Sequence, residues 1–360
     1  MSTFVRFNSG DIVLSTEKIN SNLFSGGINE MTTFHTSSTN AGYVLNDFPH
    51  PSSSGQFFHE VFQSVPVSTS SVEFTIGYGH KAGSGSPDFN DGVGGEGKSA
   101  SRTIYSQYRQ LVFGDENQDF TFNGTTPDDI YVINFERARI KQGLKPGSLN
   151  LKLASGSIAV KPDTILLTDD STTTTGSATL TTLGRQFNLV SGSNGVMLGN
   201  TLAQTDSGSY GFVYPDAGVI ILNPDALKLK IGGAAASDDH GNEFDITPSQ
   251  SIGSDGNNNK KLFNAISGGA SFIVDAEEKV SSQFYFTRIT NQEFNYSTNP
   301  SFTETDGTLK FDSMANNPKV FITTVGLYND ANELLATAKL SQPLAKDFTK
   351  ESLVRIKLDY

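Results

Sequence analysis

A mainly β chain of several modules, sandwich- or barrel-like, with one short helix and long Gly/Ser/Asn-rich loops, is the fold class this sequence predicts. Three observations carry that expectation. The chain has 360 residues, of which 36% are hydrophobic and only 18% charged, and turn-forming Gly, Ser, Thr, Asn and Asp fill the balance. Its apolar residues come mostly in short runs or strict alternation, the period of strands. Helical spacing is convincing in one place, 101–113, where Ile104, Tyr105, Tyr108, Leu111 and Val112 recur on one stripe.

Taken in order, residues 1–50 are polar with scattered apolar anchors (Ile12, Val13, Leu14, Ile19, Leu23, Phe34) and read as an N-terminal arm or a segment of short strands. Two strand-like runs lie between Phe57 and His80, and a Gly-rich loop follows over 81–99 before the helix. The run from Ile130 to Phe135 reads as a buried strand, and Pro146-Gly147 as a turn before another strand at 148–153. Residues 155–262 change texture. Short runs at 164–168, 178–183, 186–190, 195–198, 210–214 and 219–222 recur about every ten residues, the rhythm of a small all-β module. The expected division is therefore a segment 1–50, a discontinuous main β domain of 51–154 plus 263–360, and an inserted β module of 155–262. Its downstream edge, 237–261, reads as a polar loop, with the β pattern resuming from Ala265. At the end of the chain Val354, Ile356, Leu358 and Tyr360 alternate with Arg355, Lys357 and Asp359, as in a strand with one wet face.

Composition also excludes. A net charge of −12 without a Lys/Arg cluster speaks against nucleic acid as partner. Without Cys there is no disulfide frame and no thiolate metal site. No apolar run approaches the length of a membrane span, and the first residues lack the apolar core of a signal peptide, so synthesis in a cytoplasm is expected.

Few motifs suggest chemistry. Gly92-Val-Gly-Gly-Glu-Gly-Lys98-Ser99 fits the phosphate-binding pattern G-x-x-x-x-G-K-[ST], in which glycine amides cradle phosphates and the Lys reaches their terminal oxygens. That pattern has meaning only between a buried parallel strand and a helix. The residues before it form a loop with one apolar side chain, so it reads as a flexible lead into the helix. Asp238 to Asp245 has oxygen ligands but not the spacing of a calcium loop, and reads as solvated. The five histidines, His35, His50, His59, His80 and His240, are scattered without ligand spacing. No nucleophile elbow is present. No catalytic, cofactor or metal residues are assigned.

Four stretches carry a resemblance. They are Ser71 to Ser86; Thr103 to Val112 together with Asp128 to Gly147; Gln283 to Phe302; and Lys319 to Pro343 with 353–360, which contains Val325-Gly-Leu-Tyr-Asn-Asp-Ala-Asn-Glu-Leu-Leu-Ala336. In this order they resemble virion structural proteins of contractile-tailed (T-even-like, cyanophage-type) bacteriophages. The run around Tyr328 is also similar to the attachment region of some tail fibres. The resemblance implies a non-enzymatic baseplate or fibre-attachment subunit located in the phage tail. It would work by protein–protein assembly with other tail proteins and with copies of itself. The residues assigned to assembly contacts are Phe4, Val5, Phe7, Phe321, Leu327, Tyr328 and Tyr360; the plain alternative for them is the subunit's own core. A second reading is a receptor-binding or decoration protein touching the host surface through 155–262. The third is an enzyme, either a nucleotide hydrolase using Lys98 and Ser99 or a glycan depolymerase.

Overall fold

The computed structural model describes residues 4–36, 58–64, 69–85, 100–154, 164–173, 178–198, 208–228, 258–297 and 299–359. The protein is mainly β, with 47% of residues in strands and 14% in helices, and its large antiparallel sheets include a curled half-barrel. The described residues form two compact units, 19–278 and a smaller one made of 1–18 with 279–360.

The strands of the larger unit are β1 (Ile12–Asn22, shared with the smaller unit), β2 (Glu30–Met31), β3 (Phe58–Phe62), β4 (Val72–His80), β5 (Asp129–Phe135), β6 (Gly143–Leu144), β7 (Asn150–Ala154), β8 (Thr164–Asp169), β9 (Thr179–Thr181), β10 (Gly184–Ser193), β11 (Val196–Met197), β12 (Gly211–Tyr214), β13 (Val219–Leu222) and β14 (Phe272–Ile273). Its helices are α1 (Ala100–Phe113), α2 (Pro224–Lys228) and α3 (Asn258–Gly269). The main sheet runs β2-β14-β7-β8-β10-β12-β13-β5-β4-β3, with β9 and β11 both paired to β10.

Both faces of the sheet centre are buried, and the sequence shows why. Along β5, Tyr131, Ile133 and Phe135 enter one core cluster and Ile130 and Val132 the other. The same split divides Ile220 and Leu222 from Val219 and Ile221 on β13. Such strands read as continuous apolar runs because neither face meets water. One face packs under α1, through Tyr105 and Val112 with Phe120 and Phe122. The other wraps around α3, which contributes Leu262, Phe263, Ala265 and Ile266.

Curling brings distant strands together. The Phe272 ring of β14 lies 5.3 Å from Phe74 of β4 and 5.6 Å from Phe135 of β5. The segment after β1 hydrogen-bonds to both ends of the sheet. Met31 pairs with Phe272, while His35 and Phe62 exchange backbone bonds of 3.0 and 2.7 Å. Phe62 at the end of β3 and both residues of β14 thereby gain partners along the sheet edge.

Local chemistry fixes the turns. Asn194 and Gly195 both take positive φ in the two-residue turn from β10 to β11, the conformation that suits a tight hairpin. The turn is anchored by Asn194 N donating to Asn150 Oδ1 at 2.8 Å and Gly195 N donating to Thr168 Oγ1 at 2.8 Å. Gly114, with φ 73°, ends α1 and donates to the Gln110 carbonyl. The Thr182 hydroxyl, in the β9–β10 turn, reaches the last α1 carbonyls, Leu111 O at 2.5 Å and Val112 O at 2.7 Å.

Two features differ from the sequence reading. Helix α3 starts inside the stretch read as a polar loop and occupies the beginning of the stretch read as β. Residues 155–262, expected as an inserted module, supply β8 to β13 to the same sheet as β4, β5 and β7, with β8 paired to β7 and β13 to β5. The units therefore divide at 18/19 and 278/279 and not at the boundaries suggested by texture. The N-terminal segment likewise contributes strands: β1 lies beside β15 (Asp275–Ile289) and β2 beside β14.

Candidate assembly surface

The smaller unit contains most of β15, together with β16 (Val320–Tyr328), β17 (Leu334–Lys346) and β18 (Ser352–Asp359). β15 and β18 pair in antiparallel register from Ser282↔Asp359 to Ile289↔Ser352. β16 and β17 form a separate hairpin with shifts of register at Ile322/Thr324 and Leu327/Tyr328. Ile289, Leu327, Val354 and Ile356 form the buried centre, with Phe7, Tyr285, Ile322, Val325 and Leu340 packed against it.

The alternation expected in the last strand is present: Val354 and Ile356 are buried and Leu353, Arg355, Lys357 and Asp359 are exposed. On that outer face the Phe284 ring carries Arg355 at 5.4 Å and Lys357 at 5.8 Å, each placing positive charge over the aromatic quadrupole.

The residues assigned to assembly separate into three groups. Leu327 is buried in the unit's own core, and Phe7 is half-buried with its ring 5.4 Å from Tyr285. Val5 is half-buried. Phe4, Phe321 and Tyr328 are exposed, and Phe4 meets Tyr328 edge-on at 5.1 Å. Tyr360 lies outside the described residues.

The structure adds exposed apolar side chains that sequence reading passed over. Leu334 pairs across the hairpin with Tyr328, and both side chains lie over Gly326. Leu335 is 67% exposed and Leu353 66%, as open as the already assigned Phe321 at 64%. The sequence signal was there in Leu334-Leu335, directly after the Asn/Asp turn. Phe4, Tyr328 and Leu334 thus lie together at the hairpin end, their apolar side chains exposed.

The other candidate sites stand apart. Gly92 to Ser99, including Lys98 and Ser99, lies outside the described residues, as do Asp238 to Asp245, His50 and His240. The strand before α1 is β4, antiparallel to both its neighbours. His80 Nδ1 accepts from Ala82 N at 3.0 Å and Ser84 N at 3.3 Å, holding the turn after β4. Asp169 accepts from Gly147 N and Ser171 N, and Asp170 from the Asn188 backbone and side chain, so both carboxylates brace loops. Among the described residues no cluster of three or more His, Asp or Glu is placed to hold a metal ion, and no helix is long and apolar enough to cross a membrane.

No family model, curated protein or solved structure matches the chain.

Proposed function

We propose that this chain is a structural subunit of a contractile phage tail, of baseplate or fibre-attachment type, acting by protein–protein assembly. The observation that carries the reading is the coincidence of two things in one unit. The stretch from Lys319 to Pro343, where the sequence resemblance to virion proteins is most pronounced, forms the β16–β17 hairpin. That same hairpin presents Phe321, Tyr328, Leu334 and Leu335 to solvent. Burying an exposed Phe or Leu against a partner is worth on the order of 1.5–3 kcal/mol each, and two to four such anchors are the hot-spot core of an ordinary interface. Other tail proteins and further copies of this chain are the partners in this reading, and a host-surface contact is a secondary role.

The test is immunogold labelling of intact purified particles with an antibody against this chain, alongside mass spectrometry of the same particles. Gold at the distal tail end supports the reading. Gold at the neck or head keeps the structural class and removes the placement. Particles free of the chain overturn the proposal.

A further inference from the structure

The chain contains two Asn-Gly pairs, Asn123-Gly124 and Asn194-Gly195, and both sit in two-residue turns with positive φ at each position. An Asn side chain can be attacked by the backbone nitrogen of the residue after it. Glycine at that position has no Cβ to obstruct the approach, and the two groups are already joined through the chain. The two turns have the same sequence chemistry but differ in what holds them.

Around Asn194 every reacting group is engaged. Its Oδ1 accepts from Asn150 Nδ2 at 2.9 Å, and its backbone N donates to Asn150 Oδ1 at 2.8 Å. Gly195 N, the would-be nucleophile, donates to the buried Thr168 Oγ1 at 2.8 Å. Gly195 is itself buried, and a Cβ added to it would lie 2.7 Å from Gly147 Cα, so the turn has no room to change shape. Asn123 and Gly124 are exposed. The backbone bonds that close their turn, of 2.7 and 3.2 Å, run between Phe122 and Thr125 and involve neither reacting group. Among the described residues the Asn123 amide and the Gly124 N–H have no hydrogen-bond partner. A Cβ on Gly124 would meet nothing within 4 Å.

We propose that Asn123 is a site of spontaneous deamidation and isoaspartate formation, and that the fold shields Asn194 from the same reaction. Hydroxide takes the Gly124 N–H proton, and the nitrogen attacks Cγ of Asn123. The new N–Cγ bond forms as the Cγ–Nδ2 bond breaks, and Nδ2 takes a proton from water and leaves as ammonia. Water then adds to either carbonyl of the five-membered imide and opens it to Asp or to isoaspartate. Nothing is oxidised or reduced; an amide and water become a carboxylate and ammonium. Isoaspartate lengthens the backbone of the turn by one atom. Phe122, which ends that turn, is fully buried with its ring 4.8 Å from Phe212, so the modification disturbs a bridge anchored in the core under α1. The chemistry is the same whatever the chain assembles with.

The experiment incubates the full-length chain at mildly alkaline pH, folded or unfolded in urea, and follows tryptic peptides 110–137 and 186–228 by tandem mass spectrometry. An isoaspartate-specific methyltransferase reports the isoaspartyl share. In the folded chain Asn123 is expected to convert, with Asn194 at least about tenfold slower, because freeing its amide and the Gly195 N–H breaks two anchored hydrogen bonds. In urea the two sites should convert at similar rates. Folded chain in which Asn194 converts as fast as Asn123, or in which Asn123 stays intact while it converts in urea, overturns the proposal. A difference that persists in urea assigns the contrast to local sequence and overturns shielding by the fold.

Discussion

Gly77 and Gly79 lie two apart on β4, under α1, and the same substitution at each is expected to have opposite effects. A Cβ added at Gly77 would meet nothing nearer than the Ile104 side chain at 3.7 Å, an ordinary contact. Replacing a strand glycine by alanine there removes backbone freedom from the unfolded chain, worth about 0.5–1 kcal/mol in favour of folding. At Gly79 the added Cβ would lie 2.9 Å from Tyr105 N and 3.0 Å from Tyr105 Cα, with Ile130 Cγ1 at 3.2 Å. The obstacle is helix backbone, which cannot rotate aside as a side-chain tip can. Tyr105 is fully buried against Phe120, so α1 would have to lift from the sheet. Overpacking of this kind costs about 1–3 kcal/mol, which outweighs the entropic gain. The two variants should therefore differ by roughly 2 kcal/mol, with Gly77→Ala at or above the wild type. In urea unfolding followed by circular dichroism, an m-value on the order of 3 kcal/mol/M places their midpoints more than about 0.5 M apart. Equal midpoints, or a Gly79→Ala midpoint at the wild-type value, would show that α1 does not seat on β4 as described.

Other predictions rest on separate features. Asp216 clamps Arg185 through Nε at 3.0 Å and Nη2 at 2.6 Å and accepts its backbone N–H at 2.8 Å, so Asp216→Ala should cost about 1–3 kcal/mol by thermal melting, and Asp216→Asn less. Burial pushes the phenols of Tyr105 and Tyr108 up to about 12 from their ordinary value of 10.0. Unfolded phenols then ionise first, so stability present below pH 10 is lost as pH rises towards 12, by roughly 3 kcal/mol for Tyr105 alone; phenolate absorbance that rises in a single step near 10 would refute this. Phe321→Ser and Leu335→Ser, on the solvent side of the hairpin, should change stability by no more than about 0.5 kcal/mol yet remove the chain from assembled particles. Incorporation at the wild-type level would place the docking surface elsewhere.

Much of the strand content is legible in the sequence because its periods are local. The alternation of 353–360, the apolar runs that become β5, β12 and β13, and the stripe of α1 all come from neighbouring residues. Helix α3 was hidden by its own start. Asn258, Asn259, Lys260 and Lys261 read as loop, although Leu262, Phe263, Ala265 and Ile266 have helical spacing. The domain boundaries were obscured for a different reason. Closely spaced turns give 155–262 a distinct texture, whereas membership of a sheet depends on pairing with β5 and β7, which no local pattern reveals.

The assembly residues show a subtler failure. Phe321 and Leu327 have the same parity and would share a face of a regular strand, yet one is exposed and the other buried. The shift of register between Ile322 and Thr324 exchanges the faces, as a bulge does.

The segment that touches both edges of the large sheet also sets an order of events. Glu30 accepts a hydrogen bond from the Ser271 hydroxyl across 241 positions of sequence, while the His35–Phe62 pair spans far fewer. On a growing chain the near edge can be covered early, whereas the far edge waits until β14 has been made. Closure of the curled sheet is thus its most non-local step, the kind that folds slowly. Until it occurs, the two residues of β14 lack their β2 partners, the kind of open edge on which chains can pair wrongly.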